Sequence, residues 1–246
     1  MSDLFTTFFD LDLMRQVLPD LLTEGLRNTL LLSLGAIGLG LVFGMVLAML
    51  GISRRWWLRL PAAVYIDIFR GLPAILTITL VGFGLPIAGF DIFGRNVFGY
   101  AVLALGLIST AYIAEIFRAG IQSVDKGQME AARSVGMPYL VAMRLVVVPQ
   151  GVRRVIPPLT NEFIAIIKDS SLVFIIGLTL GQRELYRIGQ NVAQTTGNYS
   201  PVVAAGLVYL LITVPLTRLT NHLDRRLREG KRETVPQELD TAGAQH

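Results

Sequence analysis

Apolar residues crowd into five stretches of the chain, at roughly 26–50, 61–86, 97–118, 155–180 and 201–219. A helix that crosses a bilayer needs about 20 consecutive, mostly apolar residues, so each stretch is long enough. Residues 29–50 carry no charge at any of 22 positions. That run is too long for a signal-peptide core, and the following Arg54, Arg55, Trp56 and Trp57 do not resemble a cleavage site, so it reads as a permanent span. In lipid a helix satisfies its own backbone donors and acceptors. The pattern therefore predicts an all-α integral membrane protein with about five core transmembrane helices. Ahead of the first span, Leu4, Phe8, Leu11, Leu18 and Leu22 recur at near-helical spacing among Asp3, Asp10, Asp12 and Asp20. This predicts an N-terminal amphipathic segment, residues 1–22, lying on the membrane surface and broken near Pro19. Gly35, Gly38, Gly40 and Gly44 place small residues along the first span, where they permit close helix approach.

Composition agrees with the pattern. Of 246 residues 52% are hydrophobic and only 16% charged, against about 25% charged in a soluble domain. The absence of cysteine excludes a disulfide framework, a Cys-ligated metal and a thiol nucleophile. Two histidines, His222 and His246, make no metal cluster and no histidine base. The distribution of positive charge is more informative than the net +4. Fifteen Lys and Arg lie in the connections 51–60 and 118–154 and in the tail from 218, against five (Arg15, Arg27, Arg95, Arg183, Arg187) on the other side. The excess marks the cytoplasmic side, which puts the N-terminus outside and the C-terminus in the cytoplasm. The transmembrane region is expected to run over 23–223, with a disordered cytoplasmic tail over 224–246.

The connection 118–154 holds an unusually ordered pattern. Residues 128–135 read as a short helix, with Glu130 towards its N-terminal end, Ala131 and Ala132 as strong helix formers and Arg133 near its C-terminal end. Gly136 stands where a helix C-cap needs a left-handed residue. Pro138 suits the start of a second helix, expected to run to Pro149. Two short helices with a small Ala-Ala face and a Gly hinge make a plug for a groove on another protein. An amphipathic re-entrant segment without a partner fits the same pattern. The connection 181–200 is polar and expected outside, either as a helix that contacts an external partner or as a solvated loop.

The fourth apolar stretch is the least comfortable in lipid, because it contains Glu162, Lys168 and Asp169. Three such charges cost roughly 7–11 kcal/mol near mid-bilayer, against about 4–8 returned by the 14 large apolar residues of that stretch. These groups are expected to face a bundle interior or a watery cavity. Glu162 and Asp169 are seven apart and share a helix face, as do Asn161 and Lys168. Acceptors and an ammonium converging in a damp cavity suit a zwitterion; a self-compensating structural network is the alternative. Asp67 with Arg70 and Glu115 with Arg118 are spaced for local ion pairs. Gly71-Leu72-Pro73 is expected to interrupt the second span.

The spacing of Glu130, Ala131, Ala132, Gly136, Val146, Val148 and Pro149 resembles the EAA loop of permease subunits of binding-protein-dependent ABC importers. YIDIFRGLP (65–73), AYIAEIFRAGIQSVDKGQMEAARSVGM (111–137) and PQGVRRVIPPLTNEFIAIIKDSSLV (149–173) look like the polar amino acid branch of that family. Valine stands at 146 and 148 where the family usually has Ile and Leu, Asp67 where Glu is common, and Leu72 where Thr is common. The resemblance implies the type I importer permease (MetI-like) fold, with Glu130, Ala131, Ala132, Gly136 and Pro149 coupling to a separate ATPase. It implies Asn161, Glu162, Lys168, Asp169 and Ser171 as solute contacts, the −1 charge of that cluster favouring a cationic amino acid. Implied partners are an ABC ATPase dimer, a second permease subunit, identical or homologous, an extracytoplasmic solute-binding protein and membrane lipid, with no nucleic acid. The implied location is the cytoplasmic membrane of a prokaryote. No G-x4-G-K-[ST] occurs, so no cofactor is expected in this chain and ATP-Mg belongs to the partner. A permease for another small zwitterion such as an opine is the nearest alternative. An ion-coupled carrier would not need the 130–149 loop, and a membrane enzyme built on Glu162 and Asp169 would lack a nucleophile, metal ligands and cofactor loop.

Overall fold

The computed structural model describes residues 2–229, and every regular element among them is helical. The chain opens with α1 (Ser2–Phe9) and α2 (Leu11–Asp20). A π turn (Leu21–Gly25) then runs without interruption into the first span, α3 (Leu26–Gly51). The break expected at Pro19 falls instead at Asp10, whose carboxylate caps α2 by accepting from the N–H groups of Asp12 and Leu13. Pro19 lies inside the helix, and a π turn follows it at Leu21–Gly25. Leu4, Phe5, Phe9 and Leu11 are exposed on α1 and α2, and the backbone of α1 is tied to the start of the last helix through Tyr199 N–H to Thr7 C=O, 2.8 Å.

The second span is broken. Helix α4 (Trp56–Gly71) ends at Leu72-Pro73, and α5 (Ala74–Thr79), a π turn (Leu80–Gly84) and α6 (Leu85–Ile87) continue at 105° to it. The third span, α7 (Val97–Gln122), is the most enclosed and packs along α3. Their closeness has a specific cause. A Cβ on Gly40 would lie 2.5 Å from Ser109 Oγ, and one on Gly44 would lie 3.1 Å from Ala114 N and Thr110 O. Only hydrogen at both positions lets the backbones approach so closely. Gly38 looks into open space and takes no part in the contact.

After α7 come α8 (Lys126–Ser134) and α9 (Tyr139–Ala142), then a π turn (Met143–Val147) and α10 (Val148–Asp169). The sequence expectation ends the α9 helix at Pro149, but helical structure runs through it. The π turn just before it shifts the hydrogen-bond register, and Pro149 occupies the first turn of α10, where a missing donor costs little. The fourth span is thus displaced from the expected 155–180, closing in a 3₁₀ turn (Ser170–Ile176). Helix α11 (Leu185–Thr196) fills most of the 181–200 connection, and α12 (Ser200–Glu229) is the last span. It stays helical six residues into the segment expected to be disordered from 224, because Arg, Leu and Glu are good helix formers; residues 230–246 lie outside the described residues.

The five core spans are therefore α3, the bent α4–α6, α7, α10 and α12. Length and apolarity alone single out three continuous spans and the bent pair. Helix α10 escapes that test because of its charges. The main core gathers Leu32, Ile78, Leu105 and Val173, from α3, α5, α7 and the 3₁₀ turn. A second cluster joins Val17, Leu21, Leu185 and Val208, from α2, the first π turn, α11 and α12.

Candidate functional site

Helix α10 packs against α7, α12 and α3 and buries Gly151, Val155, Ile164, Ile166 and Ile167. Glu162 and Asp169 continue the stripe of Val155, seven and fourteen residues on. Asn161 and Lys168 are exposed, and Glu162, Asp169 and Ser171 are half-buried beside them. The two pairs seven apart share the helix faces expected from their spacing. Among the described residues no ion pair at contact distance joins Glu162, Lys168 or Asp169 to another charge, although Lys168 and Asp169 are sequence neighbours of opposite sign. Ser171 Oγ donates to the Lys168 carbonyl at 2.7 Å, which leaves its oxygen free only to accept. Unpaired charges at membrane depth need water, a solute or another subunit.

Nearer the 118–154 connection, a cavity of about 440 Å³ opens between α4, α7 and α10. Its wall includes Arg70, Tyr112, Glu115, Ser123, Arg154 and Pro158. Glu115 and Arg118 form the expected pair as a two-point fork, with Nε to Oε1 at 2.9 Å and Nη2 to Oε2 at 2.6 Å. Arg70 does not pair with Asp67. It reaches across to α7, 3.8 Å from Glu115 Oε2, with its guanidinium 5.4 Å from the centre of the Tyr112 ring. The inter-helix contact replaces the i, i+3 pair.

The loop at 126–149 has the form expected of it. Asp125 caps α8 through Gly127 N–H, 2.8 Å. Gly136 takes φ +85°, its N–H donating to Arg133 C=O and that of Met137 to Ala132 C=O. This paired closure requires a left-handed residue at 136. Glu130, Ala131 and Gly136 are exposed, as are Val135, Tyr139 and Leu140, at 75%, 55% and 77%. Ala132 faces inward and is buried, so the pair of alanines does not form one outer face. Pro149 is exposed but belongs to α10, and the α8 and α10 segments are joined by Gln150 Nε2 to Gln128 Oε1, 3.1 Å.

Sequence reasoning missed a clamp on the opposite side. Glu24, in the first π turn, accepts from the N–H groups of Gly181 and Arg183 and from the Arg183 guanidinium, at 2.5–3.1 Å. Asn28 Nδ2 donates to the carbonyls of Gly181 and Arg183, both at 3.0 Å. Beside it Glu184, fully buried, caps α11 and accepts from Tyr209 Oη at 3.0 Å. A carboxylate within 30 residues of the N-terminus and a loop 157 residues further on carry no local signal of their pairing.

A bundle of five spans with a broken second span, charges on one helix and a projecting two-helix loop is the architecture of a membrane transport subunit. Residues 40–229 match the family described as binding-protein-dependent transport system inner membrane component. The chain is 38% identical over 208 residues, 84% of its length and 92% of the relative's, to the arginine transport system permease protein ArtQ of Bacillus subtilis (strain 168). It is 37% identical, over 84% of its length and 93% of the relative's, to the probable glutamine ABC transporter permease protein GlnM of the same organism. The structure described as an amino acid ABC transporter with histidines superimposes with a TM-score of 0.76 at 34% identity, covering 87% of this chain and 96% of that one. An inward-facing MetNI methionine ABC transporter shares the fold, with a TM-score of 0.68 at 19% identity. The chain belongs to the inner membrane component family of binding-protein-dependent transport systems, and is a multi-pass inner membrane protein.

Proposed function

We propose that this chain is the transmembrane subunit of an ATP-driven importer of a polar amino acid, working by alternating access. The observation that carries the reading is the unpaired set Glu162, Lys168 and Asp169 on one side of a membrane-level helix, in a chain whose relatives are named for arginine and glutamine transport. The carboxylates of Glu162 and Asp169 receive the solute's ammonium or cationic side chain. Lys168, Asn161 and the accepting oxygen of Ser171 hold its other polar groups.

Two such subunits, identical or homologous, enclose the path, and a solute-binding protein delivers from outside, where the N-terminus lies. A pair of ATPase subunits binds ATP-Mg beneath the membrane. Its cleft grips the exposed Glu130 and Ala131 of α8, Gly136 just after it and the exposed Pro149, while the buried Ala132 turns inward. Closure of the ATPase pair draws the two loops together and opens the spans outward, and hydrolysis returns the cavity to the cytoplasm. Reconstituted uptake measured with and without the ATPase subunits, ATP and the binding protein is the direct test. Uptake should require all three, and persistence without the ATPase would refute the importer reading.

A further inference from the structure

We propose that the cavity between α4, α7 and α10 is a second solute subsite, which takes an amino acid by its α-carboxylate as it leaves for the cytoplasm; this rests on the importer reading. The cavity, about 440 Å³, is within the range of small-molecule sites, about 300–1,000 Å³. Arg70 is its key group. Among the described residues it makes no hydrogen bond, and its 3.8 Å approach to Glu115 is too long for one. The ring of Tyr112 holds the guanidinium in place without using its N–H donors. Glu115 instead makes its two short hydrogen bonds with Arg118. A fixed guanidinium fork with free donors is the group that best matches a carboxylate.

Position connects this cavity to the α10 cluster. Arg154, Pro158, and Asn161 with Glu162 follow one another turn by turn along one stripe of α10. Arg154 to Glu162 spans about 12 Å at 1.5 Å per residue, so a solute leaving the cluster towards the loop meets the cavity next. The wall carries both signs, Arg70 and Arg154 with Glu115. This arrangement suits a zwitterion, whose carboxylate and ammonium need partners of opposite sign. Arg154 is anchored by a bond from Nη1 to the Ser123 carbonyl, which places that arginine at the rim.

The chain has no cysteine, so a single Ser123→Cys, or Ala119→Cys should the first fail to assemble, reports on the cavity. The complete transporter, without nucleotide in lipid nanodiscs, is treated with a small neutral maleimide, and labelling of this chain is followed by mass spectrometry. L-arginine or L-glutamine should slow labelling, L-argininamide and L-glutaminamide should need about tenfold higher concentration for equal protection, and Arg70→Gln should erase that ratio. Equal protection by acid and amide, no protection, or a ratio that survives Arg70→Gln would overturn the proposal. Labelling that falls in phosphatidylglycerol relative to phosphatidylcholine nanodiscs without solute would assign the cavity to an anionic lipid headgroup and overturn it too. ATP-dependent uptake by the same variants reconstituted in sealed proteoliposomes separates the two readings: intact uptake without protection overturns only the subsite, and absent uptake overturns the importer.

Discussion

Asp169 and Gly136 show how differently single residues bear on function. Asp169 is half-buried and makes no ion pair at contact distance among the described residues, and the proposed mechanism gives its charge to the solute. Asp169→Asn keeps the shape and removes the charge. We expect a KM raised about tenfold, or an altered order of preference among amino acids, in reconstituted uptake; unchanged kinetics would mean that Asp169 is structural. Gly136 bears no functional group at all. Its φ of +85° closes α8 and sets the angle to α9, and an L side chain there costs about 1–2 kcal/mol. Gly136→Ala should leave membrane insertion intact and lower solute-stimulated ATPase activity of the complex several-fold. Normal coupling in that variant would remove the loop from the mechanism. Both residues are legible in the sequence, Gly136 from its place after a helical run and Asp169 from its charge in an apolar one. The free state of Arg70 is not, because its position is set by a ring and a carboxylate on another span.

Among the elements, α3 and α7 form the frame that the moving parts work against. Lipid is as apolar as the side chains, so burial drives these helices together far less than it would in water, and close packing matters more. The contact made by Gly40 and Gly44 is the clearest case, and there the expectation is quantitative. Gly40→Val would push into Ser109, which also donates to Ala36 C=O at 2.9 Å. Overpacking of this kind costs about 1–3 kcal/mol, and should appear as a lower unfolding midpoint in detergent. Gly38→Ala, in open space, is the matched control; equal losses in both variants would argue against a special contact. The sequence marks a row of small residues on this span, and which of them meet a neighbour depends on the crossing with α7. The π turns are likewise out of its reach. Leu80–Gly84 and Met143–Val147 lie just before Pro86 and Pro149, where proline reads as a stop and the wider turn lets the helix continue.

At the scale of the whole molecule, the two ends of the bundle differ in kind. One carries the projecting α8–α9 loop, and the other is pinned by Glu24, Asn28 and Arg183. The proposed mechanism needs these ends on opposite sides of the membrane. In the cysteine-free chain, Tyr199→Cys and Val135→Cys replace exposed residues, 54% and 75% accessible. An impermeant thiol reagent applied to intact cells should label the first, and should reach the second only after lysis. The reverse pattern would invert the topology and detach the loop from any cytoplasmic motor.

Local chemistry sufficed for the number of spans, their helical nature, the capped loop and the misfit of Glu162, Lys168 and Asp169 in lipid, because hydrophobic length, left-handed closure and the cost of a buried charge act over a few consecutive residues. Pairing across the bundle did not follow from it: Arg70 with Tyr112 rather than Asp67, Glu24 with Arg183, Ala132 turned inward, and a cavity among three spans. Those contacts join residues up to 159 positions apart, and only the packing of helix against helix brings them within reach.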